Sequence, residues 1–349
     1  MTGNQIIVGD RPVGGGNTAL LVAEVGQAHD GSLGAAHAYI AAAAQAGADA
    51  IKFQTHIASA ESTYDEQFRV KFSKQDSTRY DYWHRMEFTP EQWAGLADDA
   101  REHGLIFLST PFSLAAVELL DGLGVPAWKV GSGEYKSSDL LAAMAATKKP
   151  ILLSTGMSRW QEIADGVAAI RELGASVGLF QCTSRYPTPF DKVGLNVIDE
   201  LKARHHCPVG LSDHSGSPLP AIGALARGAD MIEVHITFDK RMFGPDTPAS
   251  LTLEEFAQVA AARDAFAAMD ANPIDKDAEA AELETMRGLF TKSLAPARRL
   301  AGGTVLTADM LLFKKPGGGI PAEELDRIVG RTLAHDVSPD RLLRREDLE

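Results

Sequence analysis

Eight short apolar runs in this 349-residue chain each close on side chains able to hold an anion or move a proton. LLVAEVG carries Glu24 and is followed by His29, AIKFQTH carries Lys52 and Gln54, and LIFLSTPF ends through Ser109 and Thr110. AWKVGSGE supplies Lys129, Ser132 and Glu134, and ILLSTGM supplies Ser154. VGLFQCTSRY supplies Thr183 and Ser184, VGLSDHSG supplies Ser212 and His214, and MIEVHITFD supplies His235. The formal charge is -13, so an anionic metabolite is opposed at long range. An anion site must then be a local cluster of lysines and backbone amides, with or without a cation, that overcomes the global field at contact distance.

The elements that would gather these groups follow from the pattern between about Leu20 and Phe266. There the apolar runs alternate with Ala- and Leu-rich amphipathic stretches, eight units in all. Parallel strands need crossover helices and eight of them close a sheet, so the expected architecture is a (β/α)8 barrel, whose carboxyl strand ends converge on one mouth. An open doubly wound sheet is the competing architecture, but the Gly-rich dinucleotide turn after the first strand is missing. Residues 57 to 88 are too long for a simple connection and rich in aromatic and charged side chains, which marks a functional loop. The expected division is a barrel over 1–270, a solvated linker or helix over 271–292 and a compact cap over 293–349, a length that makes only a marginal core.

Composition narrows the function classes. With 45% hydrophobic and 23% charged residues the chain reads as a soluble globular protein. An acidic chain lacks the clustered basic surface that nucleic acid needs. The first residues show no basic-then-apolar signal pattern, and the Ala-rich segment 35–50 is broken by His37, Gln45 and Asp49, so neither a signal peptide nor a membrane span is expected. Cys182 and Cys207 stand in separate apolar stretches without metal-like spacing, which favours reduced core thiols and a cytoplasmic protein.

The blocks AEVGQAHDGSL, AGADAIKFQTH, STPFSLAAVELL, GVPAWKVGSGE, ILLSTGMS, QCTSRYPTP, VGLSDHSG and EVHITFDKRMFGPDTPASL, with KKPGGGI in the tail, resemble in order and spacing the sialic acid synthase family. The likeness runs over nearly the full length and includes the small antifreeze-like (SAF, β-clip) domain of that family. It implies condensation of phosphoenolpyruvate with the open-chain aldehyde of an N-acylated amino sugar, either N-acetylmannosamine or a diacetamido-trideoxyhexose. It also implies a divalent metal, manganese first with magnesium or cobalt as alternatives, on His214 and His235. Imidazole suits such an ion. Taken singly, each histidine would more often be a hydrogen-bonded core residue, and His29, His56, His84, His205 and His206 receive no metal assignment.

By the same resemblance Lys52, Thr110, Lys129, Ser132, Ser154, Ser184 and Ser212 surround phosphoenolpyruvate, Ser184 standing where many relatives have asparagine. Gln54, Tyr186, Asp246 and Lys315 would meet the sugar. Lys315 belongs to a cap that in the family crosses a homodimer axis, and it offers a point charge where relatives present the planar fork of arginine. Glu24 and Glu134 are the candidates to position water or move a proton, the alternative for each being a local salt bridge. Three other readings are a barrel synthase acting on a phosphorylated aldose, a sialate-type lyase with Lys129 as Schiff base, and an antifreeze-like binding protein with a degenerate barrel.

Overall fold

The computed structural model describes residues 4–68 and 71–349. It opens with an antiparallel hairpin, β1 (Gln5–Val8) and β2 (Arg11–Gly14), which the sequence reading did not anticipate. The eight expected strands follow: β3 (Leu20–Gly26), β4 (Ala50–Thr55), β5 (Ile106–Pro111), β6 (Trp128–Val130), β7 (Ile151–Ser154), β8 (Val177–Cys182), β9 (Val209–Asp213) and β10 (Met231–Thr237). They hydrogen-bond in the order β5-β4-β3-β10-β9-β8-β7-β6, all in parallel. The result is a nearly closed (β/α)8 barrel, with β5 and β6 at the two ends of the ladder.

Side chains two apart in a strand share a face, and that period sorts the barrel into layers. Leu21, Ala23, Ile51, Phe53, Trp128, Leu153, Leu179, Leu211, Ile232 and Val234 are buried in the large core shared with the crossover helices. The alternate positions Leu20, Val22, Ala50, Leu108, Ala127, Leu152, Phe180 and Met231 form a second cluster, packed against Ile6, Val8 and Val13 of the hairpin. The hairpin therefore plugs the interior at the amino ends of the strands. Two residues further along the same inward face stand Glu24, Lys52, Thr110, Lys129, Ser154, Ser212 and Glu233, all buried.

Glycine permits the tightest approach in this wall. A Cβ at Gly210 would lie 2.2 Å from the Met231 carbonyl oxygen on the neighbouring strand. Near the opposite rim the β3–β4 register shifts between Glu24 and Gly26, and Gly26 adopts φ 53°. That irregularity is the kind of bulge that re-aims side chains beside a site.

The connection between β4 and β5 holds helices Ala58–Glu61 and Arg79–Met86 ahead of the crossover helix Pro90–Glu102. The helix Leu195–His205 ends at the His205-His206 pair, His206 closing it with φ 48°. Among the described residues no helix is long and apolar enough to cross a membrane.

The chain divides after Ala271 into two compact units. Residues 272–292, expected as a linker or helix, form helices Lys276–Glu282 and Glu284–Phe290 within the second unit. That unit pairs β12 (Ser293–Pro296) with β13 (Leu311–Lys314) around a core of Leu294, Leu300, Leu306, Ile320, Leu333 and Leu343; a two-residue strand β11 (Leu251–Thr252) extends β10 in the first unit. Buried Asp347 accepts both Arg341 terminal nitrogens at 2.8 Å, the His335 ring at 2.8 Å and the Arg344 backbone N–H at 2.7 Å. Charge-assisted bonds of this kind supplement so small a core.

Gly210→Ala is expected to destabilise the barrel by roughly 1–3 kcal/mol, because the new methyl meets backbone rather than a movable side chain. Gly95→Ala, in helix Pro90–Glu102 with open space around it, is the control and should gain about 0.5–1 kcal/mol. Urea unfolding of the two variants checks both signs.

Candidate active site

The polar layer is built on four buried charges. Lys52 Nζ lies 2.7 Å from Glu24 Oε2 and 4.0 Å from Glu233 Oε2, and donates to Thr110 Oγ1 at 3.2 Å. Lys129 Nζ lies 3.2 Å from Glu233 Oε1 and donates to Ser154 Oγ at 2.7 Å. Ser212 Oγ donates to Glu233 Oε1 at 3.1 Å. The strand register explains the first pair, since Glu24 and Lys52 are direct neighbours across β3 and β4. Burial raises the Glu24 pKa, with Lys52 opposing. Burial works the same way on Glu233, but Lys129 and Lys52 prevail and hold it well below the usual carboxylate range. Lys52 is disfavoured by burial yet held above the usual lysine value by Glu233 and Glu24, whereas burial lowers Lys129.

Beside this layer, Ser132 and Ser184 face one backbone position. Ser132 Oγ accepts from the Gly156 N–H at 3.0 Å. A Cβ at Gly156 would meet Ser184 Oγ at 2.6 Å, and Cys182 Sγ and Ser132 Oγ at 2.9 Å each. The missing side chain lets two hydroxyls and a thiol close on the backbone at this point.

A cavity of about 380 Å³ is lined by Gln54, Tyr186, Asp246 and His235 together with Pro245. The long β4–β5 connection contributes Phe72, Arg79, Tyr82 and Trp83 to its wall, and β3 leads into Gln27. Gln54 Nε2 donates to Glu24 Oε1 at 3.0 Å, which ties the cavity to the charge layer. Tyr186 Oη and His214 Nε2 lie 2.9 Å apart, and the His214 and His235 ring centroids are 5.4 Å apart. A Cβ at Gly26 would come within 3.0 Å of the His235 ring and 3.5 Å of Asp246 Oδ2, so glycine at this bulge lets the two approach. Burial, reinforced by His235, lowers the His214 pKa to about 3 and keeps the ring in its neutral, lone-pair form.

Of the sequence-derived candidates, thirteen fall on the charge layer, around Gly156 or on the cavity with its adjoining His214. Glu134 is not among them, and Lys315 lies in the second unit. Glu134 lies in a short 3-10 turn after β6 and accepts from Ser137 Oγ at 3.0 Å. Lys315 belongs to the second unit, its Nζ 4.9 Å from the Phe290 ring centroid. The sequence reading passed over Glu233, although Met231, Glu233 and His235 alternate on one face and period two alone would have named it. It also treated Lys52 and Lys129 as free cations. Each is ion-paired, because an unpaired ammonium at this depth would lose its hydration without replacement. Among the described residues no group of three or more His, Cys, Asp or Glu has a metal-holding arrangement, so His214 and His235 stand as a pair.

Residues 39–273 match the NeuB family and residues 291–349 the SAF domain. The chain belongs to the NeuB family. It is 32% identical over 358 residues to the N,N'-diacetyllegionaminic acid synthase of Legionella pneumophila, covering 100% of both chains. It is 31% identical to the human N-acetylneuraminate-9-phosphate synthase, over 96% of this chain and 94% of the relative. The crystal structure of N-acetylneuraminic acid (sialic acid) synthetase from Leptospira borgpetersenii superposes with a TM-score of 0.70 at 27% identity, covering 81% of this chain and 96% of that one. This NeuB-family chain thus aligns over nearly its whole length with both relatives.

His29, also polar and close in sequence to Glu24, lies apart from the layer. It packs on Phe88 with centroids 4.9 Å apart, accepts from the Gly31 N–H at 3.1 Å, and burial lowers its pKa from 6.5 to about 3. Between those two values the unfolded chain binds a proton that the folded ring excludes, so stability falls as pH drops. The expected slope is about 1.4 kcal/mol per pH unit, visible as convergence of the wild-type and His29→Gln unfolding free energies from pH 6.5 downward.

Proposed function

We propose that the protein condenses phosphoenolpyruvate with the open-chain aldehyde of an N-acylated amino sugar, giving a nine-carbon 2-keto acid and inorganic phosphate. The observation that carries this is the inward face of the barrel, where Lys52, Lys129, Ser154, Ser212, Ser132 and Ser184 adjoin a separate cavity bearing Gln54, Tyr186, Asp246 and His235. Two adjoining subsites suit two substrates, one anionic and one rich in hydroxyls.

Lys52, Lys129 and the surrounding hydroxyls hold the phosphate and carboxylate of the enol, Ser132 and Ser184 being drawn close to the Gly156 backbone beside them. The lysines are already compensated by Glu24 and Glu233, so a trianionic substrate needs a further positive charge or a proton. His214 and His235 fit a divalent ion: the former is held neutral, and His235 Nδ1 is buried without a protein partner among the described residues. When bound there, manganese or a similar ion would supply Lewis acidity to the aldehyde oxygen. C3 of the enol attacks C1 of the sugar, and Glu24, paired with Lys52 and with its proton affinity raised by burial, is placed to accept a proton at the site. Glu134 is the other candidate for positioning the water that adds at C2. The tetrahedral adduct then expels phosphate by C–O cleavage.

The same reading pairs two chains, each second unit covering the other's barrel mouth and turning Lys315 toward the sugar's acyl group. The SAF match supports it, as do Met157, Phe190 and Leu219, each 62% exposed just beyond the carboxyl end of a strand. A side-chain patch of this kind on a barrel mouth suits an interface.

Phosphate release should require both substrates, and phosphoenolpyruvate labelled with heavy oxygen at the C–O–P bridge should deliver the label to inorganic phosphate. Label kept in the keto acid would overturn the C–O cleavage. Gly156→Ala, whose methyl displaces Ser132, Ser184 and Cys182, should raise the KM for phosphoenolpyruvate at least about 10-fold, with the sugar KM nearly unchanged, as steady-state kinetics on the two substrates would show.

A further inference from the structure

We infer that Arg85 is a positioning residue for the sugar: its guanidinium clasps the long β4–β5 connection to the turn after β3 and so fixes the aromatic wall of the cavity. The inference rests on the reaction proposed above, and Arg85 acts from behind the lining side chains Phe72, Arg79, Tyr82 and Trp83.

The wall needs such a clasp because little regular structure stands under it. Phe72 lies in an irregular stretch, and Tyr82 and Trp83 sit on the eight-residue helix Arg79–Met86. A helix that short is not stable by itself in water. Arg85, in its last turn, directs its donors two ways. Nε donates to Asp76 Oδ1 at 3.0 Å and Nη2 to Asp76 Oδ2 at 2.7 Å, the two-pronged geometry that makes an arginine–carboxylate pair both strong and directional. Nη1 donates to Asp30 Oδ1 at 2.7 Å and to the Asp30 carbonyl at 3.0 Å. Asp76 is nearly buried and also accepts from Ser73 Oγ at 2.6 Å, so the fork is anchored beside Phe72. The guanidinium carbon lies 5.3 Å from the Tyr82 ring centroid, which ties the same group to a second wall residue.

On the barrel side the turn is shaped for this contact. Asp30 adopts φ 49°, a left-handed conformation that residues with side chains seldom take, and the two acceptors it offers Nη1 hold it there. Gly31 follows with φ 78°, and a Cβ on it would lie 2.4 Å from the Arg85 carbonyl oxygen. Helix end and turn therefore meet through backbone as well as through side chains. The segment leading into this turn contributes Gln27 to the cavity, so one guanidinium sets two sides of the cavity against each other. Lysine would supply a point charge but not the fork that spans both carboxylates.

Steady-state kinetics on both substrates test the clasp in Arg85→Ala and Arg85→Lys. The sugar KM should rise at least about 10-fold in each, because a displaced wall misplaces the aldose, while the KM for phosphoenolpyruvate stays within about twofold. A merely structural role would lower kcat through lost folded protein and leave both KM values alone. That result overturns the assignment, as do equal shifts of the two KM values or wild-type kinetics in Arg85→Lys. Should both variants fail to fold, Asp30→Gly withdraws one arm of the clasp without straining the left-handed turn and is expected to show the same split at smaller size. Hydrogen exchange on the full-length protein without substrates separates the clasp from the reaction. Amides of residues 79–88 should exchange at least about 10-fold faster in Arg85→Ala, with the barrel strands at the wild-type rate. Unchanged exchange there overturns the clasp whatever the substrate is. If exchange rises but no aldose releases phosphate from phosphoenolpyruvate with the wild type, the reaction is misassigned and the role toward a sugar falls with it.

Discussion

Everything at the barrel mouth depends on four charges that cannot be there unless they answer one another. Glu24, Lys52, Lys129 and Glu233 occupy one layer of the interior, each nearly without solvent. Isolated charges at that depth would be prohibitively costly, while alternating signs within salt-bridge distance are tolerable. The register that sets Glu24 against Lys52 is therefore part of the fold's electrostatics as much as its geometry. The layer is also poised: it balances before any anion arrives, so an incoming anion must bring or recruit its own compensation. The buried His235 Nδ1, without a protein partner among the described residues, is one means of recruiting it.

The eight strands were legible because each is a short apolar run closing on polar side chains, and the inward positions change from apolar to polar at the same height in nearly every strand. Period two also placed the active-site candidates on one face, as Lys52 with Gln54 and Ser212 with His214 illustrate. It failed where attention went to recognisable blocks rather than to the period itself. Glu233 stands two residues before His235 and went unremarked. The hairpin was missed although Gly9-Asp10 lies between Ile6-Ile7-Val8 and Val13, a turn signal flanked by apolar residues. Four-residue strands carry too little periodicity to stand out in a chain read for longer units.

The loop between β4 and β5 shows the opposite balance. Its length and aromatic content marked it as functional, yet no local pattern says which rings turn inward. That depends on contacts distant in sequence, such as Glu66 accepting from the Trp83 indole at 3.1 Å while lying 2.8 Å from Arg79. These contacts hold Trp83 against His56, which lies 3.0 Å from Gln27, and Gln27 and Gln54 carry the contacts on to Glu24. The cavity wall and the buried ion pair are in this way parts of one hydrogen-bonded construction.

The plug at the floor of the barrel has a consequence for biosynthesis. Ile6, Val8 and Val13 leave the ribosome well before much of their seat, which includes Leu152, Phe180 and Met231. More than two hundred residues separate Val8 from Met231, so while those residues are being made the hairpin carries an apolar face with nothing to cover it. The closure joins an early segment to a much later strand, a contact of very long sequence separation that only a nearly complete barrel can offer. A polypeptide arrested anywhere before β10 would keep that face open to chaperones and to other nascent chains.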